Sequence, residues 1–222
     1  MESDLTSAPP GLDDVEPTAV RPLVRIVDDH APIRAALDDL LTSVGFESVS
    51  YASARDFLRD DPVERPGCLI LDVRMPELGG FDLQAELGRR GVKLPIIFVT
   101  GHGDIRMSVR ALKAGAVDFL AKPFDDQMLI DAVNAAILED IEHRRIHNRV
   151  AAVRARADLL APGERLVMDM VVQGRTNREI STTLNVAEIT VKVRRATVMR
   201  KMQAETLPDL VRMSDELREA TV

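Results

Sequence analysis

Several things are scarce or missing in this 222-residue chain, and each narrows what it can be. There is one cysteine, Cys68, so no disulfide can form within the chain and a reducing compartment fits. Tryptophan is absent and Tyr51 is the single tyrosine. No apolar run approaches the roughly 20 residues needed to span a bilayer, so no membrane partner is expected. The first 20 residues contain no basic side chain; they hold five acids, three prolines and Gly11. A signal peptide would be basic there, so residues 1–20 read as a disordered leader and the chain as a soluble, cytoplasmic protein. No glycine-rich loop of the kind that cradles nucleotide phosphates is present, which argues against ATP as a reactant.

The net charge of −7 does not suit a whole-molecule nucleic-acid binder, but the average hides a split. Residues 1–149 carry 17 Lys+Arg against 26 Asp+Glu, and residues 150–222 carry 12 against 10. Within Arg175–Lys201 there are 7 basic residues and 2 acidic ones. This asymmetry hints at nucleic acid for the second half, although a solvated charged face would look the same by charge alone.

What is present is an alternation. Leu23–Val27, Ser48–Tyr51, Cys68–Leu71, Pro95–Val99 and Ala116–Leu120 are short apolar runs bounded by turn residues, each readable as a strand. Helical spacing separates them. Ile33, Leu37, Leu40, Leu41 and Val44 recur until Gly45; Ser53 and Asp56 form a capping box; Leu83 and Leu87 mark a further helix; Asp104–Ala114 precedes Gly115; Ile130, Val133, Ile137 and Ile141 form the last stripe. Strands and helices alternating at these lengths imply βαβ units and an α/β fold, a doubly wound, flavodoxin-like, five-stranded parallel sheet over residues 21–140. Residues 141–158 continue as a helical linker. From Leu159 onward no strand pattern appears, and four short helices make a small all-α domain over residues 159–222.

A parallel sheet places every strand's carboxyl end on one edge, where such folds bind ligands. That edge collects Asp28, Asp29, Asp72, Thr100 and Lys122. Three carboxylates in one crevice repel each other and call for a hard cation with oxygen ligands, which suits Mg²⁺; the backbone carbonyl of Arg74 could complete the set. Lys122 can pair with Asp72 or with a phosphoryl oxygen, and Thr100 offers a hydroxyl to the same oxygen. These parts suit Asp72 as a carboxylate that attacks phosphorus.

In the second domain, Thr176–Ile180 opens one helix and Thr190–Val193 lies early in the next. With Val191 at zero on a wheel of about 100° per residue, Val198 and Met202 fall within about 20° of it, so that side is core. Lys192, Val193, Ala196, Arg200 and Ile189 then face outward. Apolar and small residues beside basic ones suit a helix in a DNA major groove, where apolar side chains meet thymine methyls. Arg194 and Arg195 flank the core stripe, placed for phosphates or for neighbouring helices.

Asp28-Asp29, Leu71-Asp72-Val73-Arg74-Met75-Pro76, Thr100-Gly101-His102-Gly103 and Phe119-Leu120-Ala121-Lys122-Pro123-Phe124 together resemble the receiver domain of two-component response regulators. Leu159–Leu217 resembles the LuxR-type helix-turn-helix of NarL/FixJ-class regulators, and Thr100–Gly103 with Met107–Phe124 leans toward the FixJ side. The resemblance implies that Asp72 accepts a phosphoryl group from a sensor histidine kinase with Mg²⁺ held by Asp28, Asp29, Asp72 and the Arg74 carbonyl. It implies that Thr100 and Lys122 contact the phosphoryl group and that Phe119 turns inward with the switch. Phosphorylated receivers then pair as a homodimer, and the helix-turn-helix at 177–196 binds double-stranded promoter DNA to regulate transcription with RNA polymerase. Base contacts fall to Lys192, Val193 and Ala196, phosphate contacts to Arg178, Arg194, Arg195 and Arg200, and dimer contacts to Leu207–Leu217.

There are departures from the family pattern. Ala161 stands where a Thr cap opens the first helix of the domain, Ala187 where Ser often caps the recognition helix, and Arg194 where His is usual. Two other classes fit parts of the chain. A phosphohydrolase would use the same aspartyl phosphate, but such enzymes commonly place an acid two residues after the nucleophile, where this chain has Arg74. A regulator acting through a protein partner would need little DNA binding.

Overall fold

A computed structural model describes residues 20–60, 63–101 and 104–219. The expected leader, apart from Val20, and His102-Gly103 lie outside the described residues. The chain divides into two compact units between Glu142 and His143.

In the first unit, strands β1 (Leu23–Val27), β2 (Glu47–Tyr51), β3 (Gly67–Leu71), β4 (Ile96–Thr100) and β5 (Asp118–Ala121) alternate with helices α1 (Ala31–Ser43), α2 (Ala54–Asp60), α3 (Gly80–Arg89) and α4 (Ile105–Lys113). Helix α5 (Asp126–Asp158) follows β5. All strand pairs are parallel and the order is β2-β1-β3-β4-β5. Central strands β3 and β4 are buried at every residue, as a parallel sheet covered on both faces requires. One face packs Ile26, Ile70, Val99 and Leu41 with Val133 and Ile137 of α5; the other packs Leu69, Leu71, Phe98 and Phe57 with Leu83 of α3. The sheet's amino edge is closed by polar ties. Asp140, 1% exposed, accepts from the Gly67 N–H at 2.8 Å, and Arg25, also 1% exposed, donates to the Leu23 and Arg65 carbonyls. Gly67 has φ +152°, and a Cβ there would strike the Leu23 carbonyl, so β3 can approach β1 only with glycine at this position.

The second unit comprises α6 (Pro162–Val172), α7 (Asn177–Leu184), α8 (Glu188–Met202) and α9 (Leu207–Glu219) around Val167, Val171, Ile180, Val191, Val198 and Leu210. Residues 141–158, expected as a linker, are helical but not merely connecting. Val153 and Ala157 are buried in this second core, and Arg149 pairs with Glu216 of α9. Ile141 still packs against the core of the first unit, so this helix changes from one core to the other between Ile141 and Val153. No helix among the described residues is long and apolar enough to cross a membrane.

Candidate functional site

Register decides which loop residues meet. Val27 pairs with Leu71, so the residues after β1 and β3 leave the sheet side by side; the Asp72 N–H donates to the Val27 carbonyl at 2.9 Å. Thr100 pairs with Ala121, and the Lys122 N–H donates to the Thr100 carbonyl at 2.8 Å. The chain thus brings Asp28, Asp29, Asp72, Thr100 and Lys122 to the carboxyl edge of the sheet.

Asp28 is 3% exposed. Its Oδ1 accepts from the His30 N–H at 2.8 Å, and its Oδ2 accepts from Lys122 Nζ at 3.0 Å. The Arg34 guanidinium donates to the Asp28 carbonyl at 2.6 Å. Asp29 is half-buried, with Oδ1 3.2 Å from His30 Nδ1. Asp72 is 9% exposed, and its Oδ2 accepts from the Arg74 N–H at 2.9 Å. Burial raises the Asp72 pKa most, and the charges of Asp28 and Asp29 add to this; the Arg74 N–H and the Lys122 ammonium pull the other way.

Lys122, which the sequence shows able to pair with Asp72 or a phosphoryl oxygen, donates here to Asp28. Asp28, at 3% exposed against 9% for Asp72, is the more deeply buried carboxylate and has the greater need of a counter-charge. Three carboxylates therefore face one ammonium. Oxygen and nitrogen atoms of Asp28, Asp29 and His30 lie within 4.8 Å of one another, a set able to hold a cation. A hard divalent ion fits this acidic, oxygen-rich donor set and would offset the charge that raises Asp72. Sequence reasoning missed His30 and Arg34. His30 directly follows the acidic pair and was visible there; the reach of Arg34 to a carbonyl six residues back had no signal of its own.

Thr100 is 1% exposed at the end of β4. Phe119, half-buried on β5, lies 6.3 Å from the Phe98 ring, and Phe98 lies 5.0 Å from Phe81 of α3. Arg110 of α4 sits 4.4 Å over the Phe81 ring. A file of aromatics thus leads from β5 across β4 to α3 and α4. Gly80, the first residue of α3, makes room for this: a Cβ there would strike the Asp72 carbonyl and come within 3.0 Å of Phe98.

In the second unit, Thr176 and Glu179 cap α7 reciprocally, the Thr176 N–H donating to Glu179 at 2.7 Å and the Glu179 N–H to the Thr176 hydroxyl at 3.3 Å. Asn185 turns the chain at φ +50° into α8. Val191, Val198 and Met202 are buried; Ile189, Lys192, Val193, Ala196 and Arg200 are exposed on α8, as is Arg178 on α7. Arg194 and Arg195 differ from the rest of the expected phosphate-contacting set. Arg194 lies against Gly163, where a Cβ would come within 3.0 Å of its guanidinium, and its charge helps hold Glu164 below the usual carboxylate range after Lys201 and the Ala161 N–H. Arg195 donates to Asn177 Oδ1 at 3.3 Å. Both are half-buried and engaged with their own domain, because they emerge beside the core stripe rather than opposite it.

Comparison with known proteins adds to this geometry. Residues 24–134 match the family described as response regulator receiver domain, and residues 158–214 match bacterial regulatory proteins of the luxR family. The chain is 47% identical to Nodulation protein W of Bradyrhizobium diazoefficiens, over 90% of this chain and 88% of that protein. It is 42% identical to the transcriptional regulatory protein FixJ of Rhizobium meliloti, over 86% and 94%. Among solved structures, the response regulator StyR superposes with a TM-score of 0.82 at 38% identity, covering 89% of this chain and all of StyR.

Proposed function

Because the chain belongs to the response-regulator receiver family and carries a LuxR-type regulatory domain, a regulator of the NarL/FixJ class, we propose that Asp72 is its phosphoryl acceptor and α8 its DNA-reading helix. The protein is a phosphorylation-dependent DNA-binding regulator, a switch rather than an enzyme that turns over a substrate. A histidine kinase and DNA are the partners its two domains imply.

The observation that carries the assignment is the placement of Asp72, nearly buried at the end of β3 beside two further carboxylates and one lysine. In the proposed step an Asp72 oxygen forms a bond to phosphorus as the phosphorus–nitrogen bond of a phosphohistidine breaks, the imidazole leaving with the bonding electrons. Asp72 must be ionised to attack, and Lys122 favours that form. Asp28, Asp29, Asp72 and the Arg74 carbonyl would hold Mg²⁺, whose chemistry is to neutralise charge on the phosphoryl oxygens. The phosphoryl group then draws the Thr100 hydroxyl and takes the Lys122 ammonium from Asp28. Phe119 moves into the space Thr100 vacates, along the aromatic file toward α4. Receivers pair, and two copies of α8 meet paired half-sites of promoter DNA, from which RNA polymerase is regulated. Lys192, Val193 and Ala196 touch bases; Arg178 and Arg200 touch phosphates.

The test is transfer of labelled phosphate from a phosphohistidine donor to wild type and to Asp72→Asn, with DNA affinity measured in parallel. Loss of both label and DNA-affinity gain in the variant is the expected result; an undiminished gain would defeat the mechanism.

A further inference from the structure

Of the outward side chains of α8, two large apolar ones are the most costly to leave in water. Ile189 is 65% exposed and Val193 60%. They stand one turn apart, at i and i+4, on the side of the helix away from buried Val191 and Val198. Lys192 lies between them along the chain and flanks their face, and Arg178 on α7 and Arg200 further along α8 are exposed as well. An apolar ridge set among cations does not suit an apolar protein partner, which would have to desolvate the charges. It suits the major groove of DNA, which is anionic at its walls and apolar only at the C5-methyl groups of thymine.

We propose that Ile189 is a further specificity residue, and that it reads a thymine methyl. This rests on α8 being the DNA-reading helix. One helical turn plus a fraction separates Ile189 and Val193 by about 6 Å along the axis. Bases along a strand rise by about 3.4 Å. The two side chains therefore address methyl groups about two base-pair steps apart, with Lys192 available to an acceptor edge such as guanine O6 or N7 between them. The preferred half-site has thymine-bearing pairs flanking a guanine-bearing one.

The test begins with selection of preferred duplexes from a randomised pool by the full chain carrying beryllofluoride and Mg²⁺. Each thymine of the selected half-site is then replaced by deoxyuridine, which removes only the methyl group. Wild type is expected to lose about three- to fivefold in affinity at the position Ile189 contacts, the effect of one methyl-sized apolar group. Ile189→Ala should bind the thymine duplex more weakly and be indifferent to deoxyuridine at that position, while Ile189→Val retains part of the sensitivity. Since Ile189 is exposed, these variants keep the fold, checked by an unchanged melting temperature. Deoxyuridine effects that are identical in wild type and Ile189→Ala at every position would overturn the proposal while leaving the DNA-binding role of α8 intact. A pool from which no sequence emerges would overturn that role, and the proposal with it.

Discussion

Lys122 Nζ lies 3.0 Å from Asp28 Oδ2, so the pocket's ammonium is bonded to the carboxylate after β1 and not to Asp72 after β3. The consequence is a linkage between two charges. Any cation that takes over the neutralising of Asp28 frees Lys122 for a second partner, and any anion at Asp72 competes for Lys122.

Substituting Lys122→Ala tests that linkage. It leaves Asp28, 3% exposed, without its ammonium. Breaking a fully buried pair costs roughly 3–5 kcal/mol, and the partial exposure of Lys122 lowers this to about 1–3 kcal/mol. The loss should be seen in thermal unfolding in chelator and should shrink when Mg²⁺ is added, since the ion replaces the missing positive charge. An equal loss in both conditions would separate the lysine from the cation site.

Asp72 titrates with consequences for stability. Its folded-state pKa is raised, by burial first and by Asp28 next, so the folded protein binds its proton more tightly than the unfolded chain does. Stability from this group is therefore present at low pH and declines as pH rises from the ordinary carboxylate value through the raised one. At neutral pH the ionised carboxylate is a standing cost. Asp72→Asn should raise the melting temperature in chelator at pH 7 and narrow its advantage at pH 4. Mg²⁺ should stabilise wild type more than the variant, because binding to the folded state alone shifts the equilibrium by mass action.

Gly80 brings the start of α3 against the backbone of Asp72. Its added Cβ in Gly80→Ala would meet the Asp72 carbonyl, a backbone atom that cannot swing aside, and the Phe98 ring. Overpacking of this kind costs about 1–3 kcal/mol. Relief must come by moving α3 or the Asp72 backbone, so phosphorylation of Asp72 should slow in step with the loss of stability. Normal stability with normal phosphorylation would show that the loop relaxes freely.

The second unit separates cations engaged within it from exposed cations proposed to meet DNA. Arg178→Ala and Arg200→Ala should each weaken binding evenly across sequences and reduce the salt slope by about one, with little change in melting temperature. Arg194→Ala should instead lower stability by about 1 kcal/mol, because its guanidinium packs against Gly163 and its charge favours ionised Glu164 at the start of α6. A salt slope unchanged in the first two variants would remove them from the phosphate-contacting set.

These contrasts also mark what the sequence could and could not disclose. The five strands and the helices between them were legible, to within a residue or two, because apolar runs and turn residues alternate without interruption from Leu23 to Ile141. Parallel order then dictated that Asp28, Asp72, Thr100 and Lys122 share one edge, with no need of side-chain positions. What stayed hidden depends on side-chain reach. Nothing in the order of residues says that Lys122 extends to Asp28 rather than Asp72, or that Arg194 turns toward Gly163. Nor does a helical pattern that simply continues past Ile141 reveal that Val153 and Ala157 enter the core of the second unit.

Ala161 offers a stabilising prediction at a position where half of a device is already in place. Its backbone has the extended geometry of a helix cap, φ −64° and ψ 155°, and Pro162 occupies the first helical position. Glu164 reaches back to accept from the Ala161 N–H at 2.8 Å, and Lys201 holds the same carboxylate at 2.7 Å. The reciprocal bond is missing because an alanine methyl accepts nothing, so the Glu164 N–H has only the Ala161 carbonyl, at 2.9 Å, as its acceptor. A hydroxyl in Ala161→Ser or Ala161→Thr would reach it with no change of backbone and should add about 1 kcal/mol to the stability of this domain. The gain is read by denaturant unfolding. DNA affinity at fixed phosphorylation should not change, since Ala161 caps α6 and is not on α8. No gain would mean that the Ala161 carbonyl, which accepts from the Glu164 N–H at 2.9 Å, already meets the need of that N–H.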